Sequence, residues 1–225
     1  MSNEIAVKYM VDDEEVKLTP SIVSEYLANG AQITLPEFKM FTSLCKARGL
    51  NPFLKEAYII KFGNSPAQII VGKDAILKRA ILNPNFDGRE QGIIVINKDG
   101  EAMEKPGTFL LDSETLAGGW AKVYRKDWSY PVYVTVAFSE VAQKKRDGNL
   151  NSNWATKSAT MVEKIALVRA LREAFVENTG GMYEAEELAP HESVIESEVI
   201  VQDDPLEEKS EEKSEDDSVI DINSL

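Results

Sequence analysis

Apolar residues recur at helical spacing in three parts of the chain, and each part is followed by a residue that ends a helix. Residues 34–49 begin with the Ser/Thr-x-x-Glu spacing of a capping box, at Thr34 and Glu37, and end in a glycine. Residues 73–82 stop before a proline, and residues 159–177 have a longer amphipathic pattern that two glycines close. The pattern therefore predicts three helices, of which the C-terminal one is the longest.

Other segments have the period of two that is typical of strands. Residues 57–62 and 67–71 predict one hairpin across the turn Gly-Asn-Ser-Pro, and residues 120–126 and 130–138 predict a second hairpin. Residues 92–96 add a short strand. Because strands and helices are mixed without a regular β-α-β rhythm, the order favours the α+β class, with a small, mainly antiparallel sheet whose hairpins are packed by helices.

Charge is distributed unevenly along the chain. The 225 residues contain 25 Lys and Arg against 38 Asp and Glu, which argues against a nucleic-acid partner if the chain is taken as a whole. However, residues 184–225 hold 16 acidic and two basic residues, and residues 1–37 hold seven acidic and two basic residues. Residues 38–183 are left with 21 basic and 15 acidic residues, a net charge of +6. The middle of the chain is therefore basic and compatible with a polyanionic partner.

Composition also divides the chain into two parts. Residues 184–225 are acidic, rich in Ser and Glu and free of aromatic residues, so they cannot bury enough apolar surface to offset their chain entropy. We predict a single folded domain over residues 1–183 and a disordered acidic tail over residues 184–225. The tail either keeps the protein in solution or docks its apolar C-terminal end on a partner.

Several kinds of chemistry are excluded by missing residues. The only cysteine, Cys45, rules out an internal disulfide and a thiolate metal cluster, indicates a reducing compartment and is expected to fill the core. The only histidine, His191, lies in the predicted tail, which removes His-based triads and His-rich metal sites. Gly72 and Lys73 are followed by Asp74 rather than Ser or Thr, so no phosphate loop for ATP is present. No secretory signal or membrane-spanning run is visible.

The second predicted hairpin carries the first candidate binding surface. Alternation along its first strand places Trp120, Lys122, Tyr124 and Lys126 on one face. Such a face suits single-stranded nucleic acid, because rings stack on bases at about 1–3 kcal/mol each and ammonium groups follow the phosphates. The same pattern also fits a half-buried strand whose rings pack inward while the lysine heads reach water. The pattern alone leaves both interpretations open.

The predicted C-terminal helix carries a second row of cations. Arg169 and Arg172 are three residues apart, Lys164 lies within two turns of them, and Lys157 just precedes the helix. Such a row can hold a phosphate backbone, which positions a nucleic acid without reading its sequence. It can equally be a solvated helix surface in which Arg169 pairs with Glu173 at i,i+4.

Four segments, followed by Gly-Gly-Met-Tyr, carry motifs in a fixed order. They are ARGLNPFLKEAYIIKF at 47–62, IIVGKDAILKRAILNPNFDG at 69–88, KVYRKDWSYPVYVTV at 122–136 and NWATKSATMVEKIALVRALREAF at 153–175. Together they resemble the RecT/Redβ (Bet) family of phage single-strand annealing proteins over roughly residues 40–187. GLNP-x-x-KE-x-Y and YRKD-x-x-x-P are the most specific of these motifs.

The resemblance implies that complementary DNA strands are annealed during recombination without ATP, by a protein that assembles into rings or helical filaments. It implies a deep positive groove that holds single strands and the annealed duplex by their backbones and leaves the base edges exposed. Lys55, Lys126 and Arg172 match basic positions of that groove, and Lys78 matches a basic position of the family's short helix. The domain over residues 1–183 would bind DNA and oligomerise, as a protein that is not an enzyme and needs no cofactor, with the effect of magnesium left open.

Two parts of the chain depart from the family pattern. Residues 154–161 read WATKSATM where the family has a proline and basic residues before the methionine, so Lys157 and Lys164 are the cations that remain nearby. Trp154, which opens this stretch, is either a stacking group or a lid over the core, and the core position is favoured. Relatives use a folded C-terminal domain to bind an exonuclease or a single-strand-binding protein, whereas this tail is short and acidic. We expect the protein in the cytoplasm of a bacterial host cell.

Two other functions stay open from the sequence. Asp74, Asp87 and Glu104 could serve a metal-dependent nuclease, and the acidic tail could make the chain an adaptor whose folded part is a scaffold. A third hypothesis concerns regulation. Because the tail carries a net charge of −14 next to a segment of +6, it could fold back into a basic groove as a mimic of phosphate.

Overall fold

The computed structural model describes residues 5–63 and 65–188, in which strands and helices are mixed along the chain as an α+β fold. The strands are β1 (Val7–Val11), β2 (Glu14–Leu18), β3 (Ala57–Ile60), β4 (Gln68–Val71), β5 (Phe86–Ile96), β6 (Ala102–Pro106), β7 (Thr115–Arg125) and β8 (Val132–Ala137). The helices are α1 (Pro20–Ile22), α2 (Leu35–Arg48), α3 (Lys73–Ile81), α4 (Phe138–Val141), α5 (Ser152–Thr156), α6 (Ser158–Ala174) and α7 (Val176–Thr179). A π-helical turn over Val23–Leu27 follows α1, and short 3-10 turns cover Pro52–Leu54 and Ala185–Glu187.

The strands of the described part form three antiparallel sheets. β1 pairs with β2, β3 pairs with β4, and the other four strands form a sheet of order β6-β5-β7-β8. The α+β class and both predicted hairpins are therefore confirmed. The β1–β2 hairpin is not predicted, because its buried residues Tyr9, Val11, Val16 and Leu18 alternate inside a segment dominated by charge. β6 is an exposed edge strand with little apolar character, which hides it from the pattern as well.

Helix α2 begins at the capping box that its sequence predicts. Thr34 Oγ1 accepts a hydrogen bond from the Glu37 N–H at 3.4 Å, and the Glu37 carboxylate accepts one from the Thr34 N–H at 2.8 Å. The same carboxylate accepts hydrogen bonds from Lys61 Nζ at 2.8 Å and from the Ala67 N–H at 3.0 Å. Glu37 thus ties α2 to the β3–β4 hairpin, and Gly49 ends the helix in the left-handed conformation, at φ 58°.

Replacing Glu37 by Gln is expected to destabilise the protein at neutral pH and to have little effect in strong acid. Burial raises the pKa of Glu37, but hydrogen bonds from Lys61, Thr34 and Ala67 outweigh burial and hold the pKa at about 2, below its ordinary 4.5. Between these values the native state binds fewer protons than the unfolded chain, so wild-type stability falls as the pH falls. At 1.36 kcal/mol per pKa unit the loss is about 3 kcal/mol.

Denaturant unfolding of wild type and Glu37→Gln at about pH 7 and about pH 2 measures this difference. The gap in free energy of unfolding should be wide at the higher pH and close at the lower one. An equal gap at both pH values would show that the carboxylate charge of Glu37 is not what stabilises this junction.

Helix α6 is the centre of the fold and is buried around almost its whole circumference. Ten of its residues are buried, and it packs on β7 and β8 on one side and on α3 on another. At the closest approach to the sheet, a Cβ on Gly119 would lie 2.5 Å from the Val162 carbonyl oxygen. The helix ends at Ala174 rather than near residue 177, because Phe175 leaves the helical conformation and packs its buried ring 5.9 Å from that of Phe86.

Two sequence-based assignments to the core are confirmed. Cys45 is fully buried, and burial raises the pKa of its thiol to about 12. Trp154 is also fully buried, with its ring centroid 5.9 Å from that of Phe138. Within the described residues, no helix combines the length and the apolar character that a membrane span requires.

The described structure continues past the predicted domain boundary at residue 183. Residues 184–188 include the last 3-10 turn, and Glu184 is buried against the domain. The folded part therefore includes five residues that composition assigns to the tail, because composition counts charges without showing which of them have partners. The rest of the predicted tail, including His191, lies outside the described residues, so its disorder stays a prediction.

Candidate nucleic-acid interface

Two of the predicted binding residues, Lys164 and Arg172, lie two turns apart on α6 and are both paired with glutamates. Lys164 Nζ lies 2.9 Å from Glu184 Oε2 and 2.8 Å from Glu186 Oε2. The Arg172 guanidinium donates two hydrogen bonds to the Glu187 carboxylate, at 2.8 and 2.6 Å. We refer to Lys164 and Arg172 as the basic pair and to the three glutamates as the acidic clasp. The forked arginine contact is a geometry that carboxylates and phosphates share.

Burial and ion pairing shift the titration of Lys164 and Glu184. Burial lowers the pKa of Lys164, but the charges of Glu186 and Glu184 outweigh burial and raise it above its ordinary value. Burial raises the pKa of Glu184 to about 7, because the one lysine that opposes it is shared with Glu186. Lys164 is therefore charged at neutral pH, whereas the carboxyl group of Glu184 is partly protonated there.

The GLNP-x-x-KE-x-Y motif builds a turn that directs Lys55 to solvent. The Asn51 side chain accepts a hydrogen bond from the backbone two residues on, at 3.0 Å, and the Asn51 N–H donates to Glu56 Oε2 at 2.7 Å. Lys55 follows in the left-handed conformation, at φ 58°, and is exposed. Glu56 turns inward and accepts a hydrogen bond from Lys78 Nζ at 3.0 Å. Lys55 is thus open to a phosphate, whereas Lys78 is engaged by Glu56 and by Asp12.

A chain of contacts links Lys55 to the basic pair. The Arg172 guanidinium lies over the Tyr183 ring, 4.4 Å from its centroid. The Tyr183 carbonyl accepts a hydrogen bond from the Val71 N–H at 2.8 Å, and Val71 is opposite Ala57 in the β3–β4 hairpin. Since Ala57 is two residues from Lys55, the basic pair and Lys55 flank the same end of this hairpin. They form the candidate interface.

In the YRKD motif, Arg125 and Asp127 pair with each other and Lys126 between them is exposed. Arg125 donates to the Ala174 carbonyl at 2.5 Å and pairs with Glu177 at 2.9 Å and with Asp127 at 2.8 Å. These contacts fix the C-terminal end of α6 to the end of β7, where a cation also complements the helix dipole. Lys126 lies just beyond β7, is exposed and has its ammonium 3.1 Å from a backbone carbonyl.

The predicted binding face of the second hairpin lies on the side of the sheet that faces away from α6. β7 turns Ala121 and Val123 towards the core, and Trp120, Lys122 and Tyr124 to the opposite side. Trp120 is only 4% exposed, and its indole N–H donates to a β6 carbonyl at 3.3 Å. The ring has no free face for a base, which corrects the stacking hypothesis for this residue.

Lys122 and Tyr124 have partners within the sheet. Lys122 Nζ lies 5.0 Å from the Trp120 ring centroid, 4.8 Å from that of Tyr133 and 3.7 Å from Glu104 Oε2. The Tyr124 hydroxyl donates to a β5 carboxylate at 2.8 Å. These contacts fit the half-buried strand better than the nucleic-acid face. The structure does not bring this surface together with the basic pair.

The cationic row predicted on the C-terminal helix is divided. Arg169 pairs with Glu140 of α4 at 3.1 Å rather than with Glu173, whereas Arg172 pairs on the side of the clasp. Lys157 is exposed at the junction of α5 and α6. Helical spacing predicts that these cations share one surface. The packing of α6 on its neighbours places them on different surfaces, which the sequence does not show.

The carboxylates of the nuclease hypothesis lie on three different elements. Asp74 is in the first turn of α3, Asp87 is on β5, and Glu104 on β6 contacts Tyr133 and Lys122. No three His, Cys, Asp or Glu side chains in the described part of the chain are arranged to hold a metal ion. The geometry therefore adds no support to a metal-dependent nuclease.

Two features of this surface are missing from the sequence-based predictions. The clasp is visible in the sequence as Glu-x-Glu-Glu directly after Tyr183, yet nothing local shows that it faces the basic pair. The β7–β8 turn presents two exposed rings beside Lys126, Trp128 at 47% exposure and Tyr130 at 83%. Aromatic residues inside a polar turn are a usable signal, because they have no strand face on which to pack.

Comparison with known proteins gives two matches. The model of the RecT family matches residues 13–211, a range that includes the candidate interface, the basic pair and the acidic clasp. An uncharacterized protein of Ureaplasma parvum serovar 3 is 28% identical over 171 residues, which cover 76% of this chain and 68% of that protein. The first match extends over most of the chain, on both sides of the four motifs.

Proposed function

The chain belongs to the RecT family, whose members act in phage-type single-strand annealing recombination, and from this premise we propose that it binds single-stranded DNA and anneals complementary strands without ATP. The family match over residues 13–211 is the observation that carries the proposal. The exposed Lys55, Lys126 and Lys157, together with the forked anion contact of Arg172, support it.

Annealing makes modest chemical demands, and the residues present are suited to them. The strands have to be held by their phosphates, which carry no sequence information, while the base edges stay free to pair. Stacking and pairing are downhill by about 1.4 kcal/mol per step, so no nucleotide has to be hydrolysed. Cations on a rigid helix and on two turns can provide such a hold without further chemistry.

We infer that affinity comes from many subunits on one strand, in a ring or filament that holds both the single strand and the annealed duplex. A net charge of +6 over residues 38–183 is modest for a lone DNA-binding domain. Linked subunits raise the effective concentration of each next contact and compensate for weak single sites. A cognate exonuclease or single-strand-binding protein stays a hypothesis for the chain beyond residue 188.

The proposal is tested by annealing of complementary fluorescent oligonucleotides without ATP, in the presence and absence of magnesium. Wild-type protein should accelerate duplex formation. Lys126→Ala should weaken single-strand binding about fivefold, because one phosphate contact is lost. Lys98→Ala, which removes an exposed lysine from the β5–β6 turn, is the matched control and should bind as wild type does.

The result that would overturn the proposal is the absence of any acceleration by folded wild-type protein. Strands shortened in the presence of magnesium would point instead to nuclease activity. A circular dichroism melt of each variant checks that a change in binding is not a change in folding. Electron microscopy of the annealed products tests for rings or filaments.

A further inference from the structure

The acidic clasp pairs with the two cations of α6, Lys164 and Arg172, which the proposed function assigns to the DNA backbone. Glu184 and Glu186 both contact Lys164, and Glu187 forks onto Arg172. The Lys164 and Arg172 side chains keep only 18% and 19% of their surface exposed beneath these carboxylates. In this conformation, neither cation can accept a phosphate without the loss of a carboxylate.

The geometry of the clasp resembles that of the ligand it would exclude. A carboxylate and a phosphodiester each present two oxygens to the guanidinium of an arginine. A second carboxylate, like the next phosphate of a DNA strand, can pair with a lysine nearby. Glu187 provides the first contact, at 2.8 and 2.6 Å, and Glu184 and Glu186 provide the second, at 2.9 and 2.8 Å. The chain thus places three carboxyl groups of its own along two turns of α6.

The clasp is attached to the domain in a way that permits its release. Tyr183, just before it, is anchored by the hydrogen bond from Val71 and by the Arg172 guanidinium over its ring. Residues 184–188 make the ion pairs with Lys164 and Arg172 and two local hydrogen bonds, from the Glu184 N–H to Glu187 at 3.3 Å and from the Glu187 N–H to the Glu184 carbonyl at 3.1 Å. Three carboxyl groups share the two cations Lys164 and Arg172. A polyanion that offers many phosphates can compete for these two cations.

We propose that the acidic clasp occupies backbone-phosphate positions on Lys164 and Arg172, and that a bound DNA strand displaces it. This inference rests on the proposed function, because it gives the same interface an internal competitor. The ligand is the phosphodiester backbone of single-stranded DNA, bound without regard to sequence. Lys55, Lys126 and Lys157, which the clasp does not cover, make the first contacts with the strand.

The test is the affinity of full-length protein for a fluorescent oligothymidylate, which has no secondary structure of its own. The triple variant Glu184→Gln, Glu186→Gln, Glu187→Gln keeps the shape of the clasp and removes its charge. It should bind about tenfold more tightly than wild type, since the strand no longer has to break the three ion pairs between the clasp and the basic pair. The matched control is Glu14→Gln, Glu25→Gln, Glu101→Gln, which changes net charge equally at exposed positions. Because distant charges are screened at physiological salt, the control should change affinity less than about twofold.

Hydrogen exchange on the wild-type protein provides a readout that does not depend on the variant folding. Saturating oligothymidylate should accelerate exchange of the backbone amides of residues 184–188, while the amides of α6 stay protected. Unchanged or slower exchange of the clasp amides would overturn the inference.

The outcomes separate this inference from the proposed function. If wild type binds the strand and the triple variant binds it equally or more weakly, displacement is rejected and the proposed function stands. Binding by the triple variant when wild type does not bind supports displacement. If neither protein binds the strand, both the inference and the proposed function fail.

Discussion

A fourfold rise in salt concentration should weaken the binding of single-stranded DNA by this protein about a hundredfold. The candidate interface and its surroundings offer five cations for phosphates, namely Lys55, Lys126, Lys157, Lys164 and Arg172. Each neutralised phosphate contributes about −0.7 to the slope of log affinity against log salt, so five contacts give about −3.5. Fluorescence anisotropy with an oligothymidylate at several salt concentrations measures this slope.

Two variants show which side of the protein is responsible for the salt dependence. Arg172→Ala should make the slope shallower by about 0.7, because one phosphate contact is lost. Lys122→Ala should leave the slope unchanged, since Lys122 lies on the opposite side of the sheet and contacts Glu104 and two rings. A slope near zero for wild type, or the reverse order of the two variants, would contradict a phosphate-binding surface at α6.

Replacing Gly119 by Ala is expected to lower the free energy of unfolding by about 3 kcal/mol, at the upper end of the cost of overpacking a core. The new Cβ would lie 2.5 and 2.7 Å from the carbonyl oxygen and carbon of Val162, and 3.0 Å from the Glu163 nitrogen. All three atoms belong to the backbone of α6, so no side chain can rotate away. Either the helix moves off the sheet or the native state is lost.

Gly72→Ala is the matched control for this substitution. A Cβ on Gly72 would meet only the Lys55 carbonyl, at 3.6 Å, and Gly72 has φ −67°, which alanine adopts without strain. Its cost should stay within about 1 kcal/mol, the typical loss of a glycine at a helix N-cap. Urea denaturation of both variants provides the comparison, and equal losses would show that the contact between Gly119 and α6 is not tight. Any folded Gly119→Ala protein should also bind DNA more weakly, since α6 carries the basic pair.

The elements that sequence reasoning predicts well are those with local signals. Thr34 and Glu37 form a capping box that predicts the start of α2. Gly63 and Pro66 predict the turn between β3 and β4. The period of 3.6 in residues 159–177 finds α6, but it misses the true end at Ala174 because Phe175 breaks the helix to fill a core position. Local sequence signals therefore predict that an element exists and whether it is a helix or a strand, whereas tertiary packing decides where the element ends.

The candidate site is less predictable because its contacts join distant parts of the chain. Lys164 meets Glu184 twenty residues later, and Lys78 meets Asp12 sixty-six residues earlier. Strand alternation shows that Trp120 and Lys122 share a face, but it cannot show that the sheet covers the ring. A pattern of cations identifies which residues could bind phosphate, and only the fold shows which of them are already paired.

The different surroundings of the three tryptophans make the protein its own optical reporter. Trp154 and Trp120 are buried, whereas Trp128 is half exposed in the turn beside Lys126, with the Arg125 guanidinium 4.7 Å from its ring centroid. Trp154 and Trp120 should therefore emit at shorter wavelengths and be shielded from iodide. Trp128 should emit at longer wavelengths and be quenched by iodide. A nucleic acid bound at the YRKD turn would quench the emission of Trp128 alone, so binding at the β7–β8 turn can be followed without a dye.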